Sequence, residues 1–396
     1  MNEQAYASLY ANTLLQDVIP FWMQHSGDAS YGGYLTCLDR KGKTFDTDKF
    51  IWLQCRQVWC FSMLYNRVEQ KQEWLDFALQ GAEFLKKFGR DAQGNWYFSL
   101  TREGKPLVQP YNIFSDCFAA MAFGQLSQAT QDKAHSEIAI HTYHNILKRQ
   151  ENPKGSYNKA FPGTRPLQSF ALPMIMCNLI LEMEHLLAPE EVDRIIQHGS
   201  RTVMDTFYQP DSGQILENVN EDGSFSDTFE GRLLNPGHAL EAMWFIIDLA
   251  ARTSDQPLIR KAVDISLNTL EYSWDRRYGG IFYFMDIKGH PPQALEWDQK
   301  LWWVHMETLI SLLKGFLQTG DQRCWQWFEK VHDYCWTHFA DPEYGEWYGY
   351  LNRRGEVLIP QKGGKWKGCF HVPRGLYQCW QTLDSIAEKS STVTPQ

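Results

Sequence analysis

The sequence lacks the short motifs that mark most cofactor-dependent and nucleophilic enzymes. Its 396 residues contain no Gly-x-Gly-x-x-Gly segment, no P-loop, no His-Glu-x-x-His pair and no Gly-x-Ser-x-Gly elbow. No apolar run approaches the roughly 18 residues of a membrane-spanning helix. We therefore expect no dinucleotide, no catalytic metal and no membrane location. An acid–base site that works without a metal is what remains.

A cysteine framework and positive charge are also missing. The nine cysteines contain no Cys-x-x-Cys pair and their number is odd, which is typical of reduced thiols. The N-terminus has neither the basic nor the apolar segment of a signal peptide, so we expect a cytoplasmic protein. The net charge of −9 argues against a nucleic-acid-binding surface.

Aromatic residues, by contrast, are abundant. The chain has 16 Trp, 18 Tyr and 23 Phe residues, together 14% of the sequence. A large helical core needs part of this bulk. Trp and Tyr in loops and beside polar residues present flat apolar faces with a polar edge, and such faces suit a sugar ring.

A loop motif that starts with Asp or Asn and contains Gly recurs six times. Its copies begin at Asp28, Asp91, Asn152, Asp211, Asp275 and Asp341. The steps between them are 63, 61, 59, 64 and 66 residues, and a period of this kind indicates a repeat architecture. Asp or Asn followed by Gly favours a tight turn, and the flanking aromatic residues predict short strands on either side.

Two helical patterns occupy each interval between loops. The first kind has one charged face and predicts an outer ring: 5–24, 74–88, 136–148, 189–207, 258–274 and 323–339. The second kind is more apolar and predicts an inner ring: 50–65, 114–126, 167–187, 237–253, 301–319 and 372–385. Twelve helices in two concentric rings form an (α/α)6 barrel, an all-α fold with short β-hairpin loops at one end. We predict a single domain over residues 1–396.

Polar residues recur at a common distance after the loops. Five copies place a charged or titratable residue 25 to 30 positions after their first residue: Arg56, Asp116, His238, His305 and His371. These residues interrupt apolar inner helices or stand at their start. Buried charges and imidazoles are costly unless they are paired or used. We therefore predict that the five residues converge on one cavity.

The segment around His238 predicts how this side chain is held. Asn235 and Pro236 are typical of a helix start, as the cap and the first turn. Glu241 follows His238 by three residues, so both share a helix face, and the carboxylate can orient the imidazole or raise its pKa. A similar juxtaposition brings Glu307 close to His305 in the sequence.

Five segments resemble the N-acyl-D-glucosamine 2-epimerase family, which is also known as renin-binding protein. They are residues 56–59, 111–122, 234–238, 302–307 and 369–374, and the likeness extends over nearly the whole chain. The resemblance implies an (α/α)6 barrel that interconverts N-acetylglucosamine and N-acetylmannosamine. It also implies ATP as an activator that is not consumed, and a homodimer.

The resemblance also implies a catalytic set made of Arg56, His238, Glu307 and His371. Inversion at C2 of an open-chain aldose needs a base on each face, and two histidines suit this task. Arg56 would stabilise the enolate oxygen, while Glu241 and Glu307 would fix the histidine tautomers. The sequence leaves open which histidine serves which face. Without a 2-hydroxyl group the enolate cannot become a ketose, so reprotonation at C2 gives the epimer.

The remaining site predictions concern the sugar and the nucleotide. The residues assigned to substrate binding are Tyr111, Asn112, Asp116, Trp303, His305 and Trp366. The third loop copy is the basic one, and Lys154, Gly155 and Lys159 could meet phosphates as point charges and backbone donors. We predict that this loop binds ATP.

Other functions stay open at this point. Mannose isomerase and cellobiose 2-epimerase resemble this chain in fold and in the two-histidine arrangement, although they act on 2-hydroxy sugars. A glycoside hydrolase would need two opposed carboxylates, which Asp116 with Glu241 or Glu307 could supply. A non-catalytic role in protein binding would use the outer face of the barrel.

Overall fold

The computed structural model describes residues 1–161 and 163–392, so the predicted 1–396 domain is covered except for residues 162 and 393–396. Helices dominate the described residues. They are α1 (Glu3–Asn12), α2 (Ile19–Ser26), α3 (Ile51–Arg67), α4 (Gln72–Phe88), α5 (Phe114–Thr130), α6 (Lys133–Arg149), α7 (Ala171–Met183), α8 (Pro189–Arg201), α9 (Pro236–Arg252), α10 (Gln256–Ser273), α11 (Trp302–Thr319), α12 (Gln322–His338) and α13 (His371–Thr392). A π-helical turn, Thr13–Val18, joins α1 and α2 into one rod.

The helices form two concentric rings. Helices α3, α5, α7, α9, α11 and α13 contact one another in that order and form the inner ring, and each of the first five packs against the outer helix that follows it. The last inner helix, α13, packs against α1 instead, so the two ends of the chain build one unit together. This arrangement is the predicted (α/α)6 barrel.

Short strands tie the repeats together at one end of the barrel. They are β1 (Cys37–Leu38), β2 (Thr44–Asp46), β3 (Lys49–Phe50), β4 (Ser99–Leu100), β5 (Pro106–Val108), β6 (Leu167–Ser169), β7 (Tyr208–Gln209), β8 (Gln214–Ile215), β9 (Asn218–Asn220), β10 (Leu233–Leu234), β11 (Met285–Asp286), β12 (Lys300–Leu301), β13 (Tyr350–Leu351) and β14 (Val357–Ile359). Four antiparallel pairs, β3–β4, β6–β9, β10–β11 and β12–β13, link the strand before an inner helix to a later strand. The starts of four inner helices are thereby fixed.

The repeated loops have the predicted hairpin form in five of their six copies. Four are closed by a bridge, such as Gly27 with Tyr34 and Trp274 with Ile281, and the fourth copy is closed by β7 and β8. The third copy instead forms a short 3₁₀ turn, Gly155–Tyr157. The inner helix predicted over 167–187 is shorter, because its first residues form β6 and its last residues a 3₁₀ turn, Glu184–Leu186.

In each of three repeated loops, the first residue is a buried aspartate that is paired with two cations. Asp28 accepts hydrogen bonds from the buried Lys49 at 3.0 Å and from Arg102, which lies in the next repeat, at 2.9 and 3.0 Å. Burial opposes ionisation, but these two cations hold the pKa of Asp28 well below its usual value. A buried carboxylate paired in this way fixes the loop to its neighbour.

The same anchor closes the ring. Asp341 in the last loop pairs with Lys362 at 2.8 Å and with Arg40 of the first repeat at 2.8 and 2.9 Å. The fifth loop repeats the pattern with Asp275, Lys300 and Arg353. The first and last repeats are therefore joined by a bidentate ion pair as well as by the packing of α1 on α13.

Two further findings concern the cysteines and the search for membrane-spanning helices. All nine cysteines are free and buried, so the core contains thiols and no disulfide among them. Within residues 1–161 and 163–392, the search for a helix that is long and apolar enough to cross a bilayer finds none.

Candidate active site

The candidate site lies where the inner helices begin, at the same end of the barrel as the repeated loops. Arg56 is in the second turn of α3, His238 in the first turn of α9, Glu307 in the second turn of α11, and His371 opens α13. Asn235 caps α9 by accepting a hydrogen bond from the His238 amide at 3.2 Å. The predicted cap is therefore confirmed, and it fixes the direction in which His238 leaves the helix.

His371 is held by a carboxylate on the neighbouring helix. Its Nδ1 donates to Glu307 Oε1 at 2.7 Å, and the indole N–H of Trp244 donates to Glu307 Oε2 at 2.8 Å. Because a carboxylate only accepts, the proton of a neutral His371 resides on Nδ1 and the lone pair on Nε2. Burial, together with the charges of Arg56 and Arg374, lowers the pKa of His371 well below its ordinary value. Near neutral pH, His371 is a neutral base.

His238 has a different carboxylate partner from the one predicted. Its Nδ1 lies 3.1 and 3.0 Å from the two carboxylate oxygens of Glu217. Glu241 is not among the hydrogen-bond partners of His238 in the described residues. Burial disfavours the imidazolium, but Glu217 outweighs burial and raises the pKa of His238, with Glu241 adding to the effect. The two histidines are thus shifted in opposite directions.

Glu241 is bound to an arginine that the sequence analysis did not single out. Arg374 Nη2 donates to Glu241 Oε1 at 2.5 Å and to Glu307 Oε1 at 2.7 Å, and all three side chains are buried. Glu241, Glu307 and His371 each bring an oxygen or nitrogen atom to within 4.8 Å of the others, close enough to share one cation. Arg374 already supplies positive charge to both carboxylates, so this cluster is a charge-compensated acid pair.

Arg56 forms no ion pair with a carboxylate among the residues that the structure describes. Its guanidinium carbon lies 4.0 Å from the ring centre of Phe118, 4.6 Å from that of Phe370 and 4.7 Å from that of Trp52. Its Nε has no hydrogen-bond partner among the described residues. Burial and the nearby Arg374 lower the pKa of Arg56 to about 9, so it remains a cation at neutral pH with unused donors.

Aromatic rings surround these polar groups. Trp303 contacts both histidines, with ring centres 5.4 Å from His238 and 5.7 Å from His371. Trp366 is 48% exposed at the rim, and Trp52 lies 5.3 Å from it, edge to face. Tyr111 extends the rim through Phe98. Trp303 thus lies beside both histidines and Tyr111 and Trp366 lie at the rim, while their role in sugar binding stays a prediction.

Two predicted substrate-binding residues lie in the barrel wall. His305 is fully buried, since its Nδ1 donates to the Leu301 carbonyl at 2.8 Å and its Nε2 accepts from the Ile281 amide at 3.0 Å. Asp116 is also fully buried and pairs with Arg149 at 2.8 Å. Neither side chain reaches an accessible surface, although Asp116 Oδ2 has no hydrogen-bond partner among the described residues. Both predictions are corrected, and these residues stabilise the wall.

The remaining predicted residues lie outside the histidine cluster. Asn112 accepts a hydrogen bond from the Phe114 amide at 2.9 Å and so supports the start of α5. Lys154, Gly155 and Lys159 are exposed in the third loop, and neither lysine forms an ion pair within the described ranges. An open groove of about 1030 Å³ between α10 and α12, lined by residues such as Arg260 and Trp327, contains none of the predicted site residues.

Two residues of the site, Glu217 and Arg374, were missed from the sequence. Glu217 lies between β8 and β9 and belongs to no helix, so the helical phase gave no reason to choose it. The one indication in the sequence is that Glu217 directly follows two apolar residues, Ile215 and Leu216, which are buried in the structure. Arg374 had a clearer signal, because it follows His371 by three residues and so shares its helix face.

An (α/α)6 barrel with two histidine–carboxylate pairs and an arginine at one end has the acid–base groups that a carbohydrate isomerase needs. The chain belongs to the N-acylglucosamine 2-epimerase family, whose model matches residues 33–373. It is 40% identical over 391 residues to N-acylglucosamine 2-epimerase from Mus musculus, covering 95% of this chain and 91% of that protein. The protein of the same name from Homo sapiens is 38% identical over 393 residues, covering 95% and 90%.

Solved structures show the same fold. Cellobiose 2-epimerase from Bacillus thermoamylovorans B4167 superposes with a TM-score of 0.83 at 20% identity, covering 96% of this chain and 99% of that one. Identity this low supports the architecture alone. The predicted family and the predicted barrel are both confirmed.

Proposed function

We propose that the protein interconverts N-acetylglucosamine and N-acetylmannosamine by removing the C2 proton of the open-chain sugar and returning a proton to the opposite face. The observation that carries this proposal is the pair His238 and His371, which share Trp303 as a neighbour and have pKa values shifted in opposite directions. Proton exchange across C2 requires one group that is ready to accept and one that is ready to donate.

Each step of the reaction has a residue suited to it. Neutral His371 takes the C2 proton through Nε2, and the electron pair of the broken C–H bond passes into an enolate. The enolate oxygen is stabilised by Arg56, which forms no ion pair among the described residues and keeps its Nε donor free. The imidazolium of His238 then gives its Nε2 proton to the other face of C2, while Glu217 keeps its Nδ1 proton in place. The reverse reaction uses the same groups with exchanged roles.

The sugar's 2-acetamido group determines the product. The enolate carries nitrogen at C2, so it has no 2-hydroxyl group through which to become a ketose. Protonation at C2 is therefore the productive outcome, and the product is the C2 epimer. Trp303 offers an apolar face beside both bases, which suits one side of the bound sugar.

Incubation with N-acetylmannosamine in D₂O tests this function. We expect N-acetylglucosamine to appear in the proton NMR spectrum and the C2 proton signal to disappear from the product, because the returning proton comes from an exchanging histidine. The measurement includes ATP, since activation by a nucleotide is part of the proposal. A protein that leaves C2 unexchanged under these conditions would refute the epimerase function.

We further propose that ATP activates the enzyme through the third loop. Lys154 and Lys159 are exposed there and free of carboxylate partners within the described ranges, and Gly155 has a positive φ of 54°. Exposed lysines and backbone N–H groups can meet phosphates. The ion pair between Arg149, which ends α6, and Asp116 in α5 provides a contact between the start of this loop and an inner helix.

Replacement of Lys154 and Lys159 by Ala is expected to raise the ATP concentration needed for half-maximal activation by about tenfold, since each lost phosphate contact weakens binding. Turnover without ATP should not change. The matched control is Lys133→Ala, another exposed lysine at the start of α6. The proposal fails if the double variant loses basal and ATP-stimulated turnover in equal proportion.

We also propose a cytoplasmic homodimer. Nine buried, free cysteines suit a reducing compartment.

A further inference from the structure

Arg374 is a buried arginine that contacts two carboxylates of the candidate site. It is 1% exposed, and one nitrogen, Nη2, binds both Glu241 and Glu307. Its Nε and Nη1 have no partner among the described residues. A buried arginine that uses one of its nitrogens for two carboxylates is poorly explained as a structural clamp, which would use the planar fork.

Arg374 modifies the electrostatic effect of Glu307 on His371. Glu307 Oε1 accepts from both His371 Nδ1 and Arg374 Nη2, each at 2.7 Å. A carboxylate alone beside a buried imidazole would stabilise the imidazolium. The guanidinium compensates this carboxylate, so Glu307 can orient the ring of His371 without holding a second proton on it.

Charged groups from four inner helices surround His371. Arg374 lies on its own helix, Arg56 comes from α3, Glu241 and His238 from α9, and Glu307 from α11. Two arginines thus face two glutamates, and a protonated His238 adds a further positive charge. The loss of one arginine makes the net charge beside the imidazole more negative by one unit, which favours its protonation.

The nearby thiols do not alter this count. Burial raises the pKa of Cys369 and of Cys379 well above the usual value of a thiol, so both remain neutral at neutral pH. The balance therefore depends on the two arginines, the two glutamates and His238.

We propose that Arg374 is a positioning residue that keeps His371 neutral, and thus able to act as a base, by compensating the charges of Glu307 and Glu241. It also keeps Glu307 in the orientation that points Nε2 of His371 away from the carboxylate. The inference rests on the proposed epimerisation for its kinetic consequence. Its electrostatic part concerns only the pKa of His371, which can be measured without any substrate.

Arg374→Met removes the charge and retains an unbranched apolar side chain of similar length. We expect the pKa of His371 to rise by at least about one unit, a tenfold shift of its protonation equilibrium. The acid limb of the pH profile of kcat/KM should move upward with it, because the protonated imidazole cannot act as a base. Arg374→Lys should stay close to the wild type, since it keeps the positive charge.

Addition of Glu241→Gln separates charge from packing. In the double variant Arg374→Met/Glu241→Gln one cation and one anion are both gone, so the pKa of His371 and the acid limb should return toward the wild-type values. The single variant Glu241→Gln should move them the other way, to lower pH. These four proteins form a double-mutant cycle for the electrostatic coupling.

The pKa of His371 is measured by NMR of imidazole-labelled protein, with the His371 signal identified by its loss in His371→Gln. Arg252→Met, at the far end of α9, is the matched control for the removal of an arginine. An unchanged His371 pKa in folded Arg374→Met refutes the proposal, as does a pH-independent loss of activity that Glu241→Gln does not alter.

If Arg374→Met does not fold, a second comparison still tests the proposal. In that case Glu241→Gln is compared with the double variant, and the same rise of at least about one unit is expected between them. Equal pKa values in these two proteins overturn it. Wild-type protein without epimerase activity would refute the proposed function, while the titration would still decide the role of Arg374.

Discussion

His238→Gln is expected to lower the interconversion of the two epimers by about 10³-fold or more, while C2 exchange with D₂O continues for one epimer. Loss of one positioned acid–base group costs 10²–10⁴ in rate. The remaining base, His371, still faces one side of C2, so it can remove and return a proton on that side. The epimer whose proton faces His371 therefore exchanges without inversion.

His371→Gln should give the mirror result, with exchange confined to the other epimer. Proton NMR of each pure epimer in D₂O, with each variant, assigns the two histidines to the two faces of C2. His290→Gln, a replacement of an exposed histidine, is the control and should behave as the wild type. A variant that exchanges both epimers, or that still interconverts them at the wild-type rate, would contradict the two-base mechanism.

Arg56→Met is expected to reduce kcat by about 10²–10³-fold, the usual effect of removing one donor to a developing oxyanion. Arg56 forms no ion pair with a carboxylate in the described part of the chain, and it lies among the rings of Trp52, Phe118 and Phe370. Its charge is therefore available to the enolate oxygen, which becomes fully negative only after the C2 proton leaves. The KM should change much less than kcat, because the aldehyde of the bound sugar is neutral.

Thermal unfolding of the same variant provides an independent check. A buried cation that forms no direct ion pair costs desolvation energy, which contact with aromatic faces and more distant carboxylates offset only in part. We expect the Tm of Arg56→Met to be equal to or above that of the wild type, although activity is lost. Arg56→Lys, which keeps a charge but not the planar fork, should retain intermediate activity. A large fall in Tm would mean that Arg56 is structural and would contradict this role.

The repeat made the fold predictable. Six loops at nearly constant spacing located both helix rings, because each loop precedes one inner helix. The exception was the third repeat, where β6 replaces the expected start of the helix. Leu167–Ser169 pairs with Asn218–Asn220 from the next repeat, and such a pairing over 50 residues leaves no local trace in the sequence.

The site was predictable only in part. The common offset after each loop identified Arg56, His238 and His371, but it also selected Asp116 and His305, which lie in the wall. Each residue along a helix turns the side chain by about 100°, so an offset known to within five positions cannot separate the cavity from the wall. Burial and hydrogen bonding make that distinction, and they depend on the tertiary structure.

A second repeat passed unnoticed in the sequence. The turns after β1, β4 and β13 read Leu38-Asp39-Arg40-Lys41-Gly42, Leu100-Thr101-Arg102-Glu103-Gly104 and Leu351-Asn352-Arg353-Arg354-Gly355. Their arginines are the ones that bind Asp341, Asp28 and Asp275. Alignment of the chain with itself at the period of the first repeat would have revealed these ion pairs.

The joining of α1 to α13 has a consequence for the order in which the enzyme is made. His371 and Arg374 lie on α13, which is synthesised after the other five inner helices, whereas its outer partner α1 is synthesised before all of them. Until α13 is made, α1 lacks the inner helix that it packs against, and the nascent barrel contains Arg56 and His238 without His371. The cluster of Arg56, His238 and His371 is therefore complete only after the first and last repeats have packed together, a contact to which the ion pair between Asp341 and Arg40 belongs.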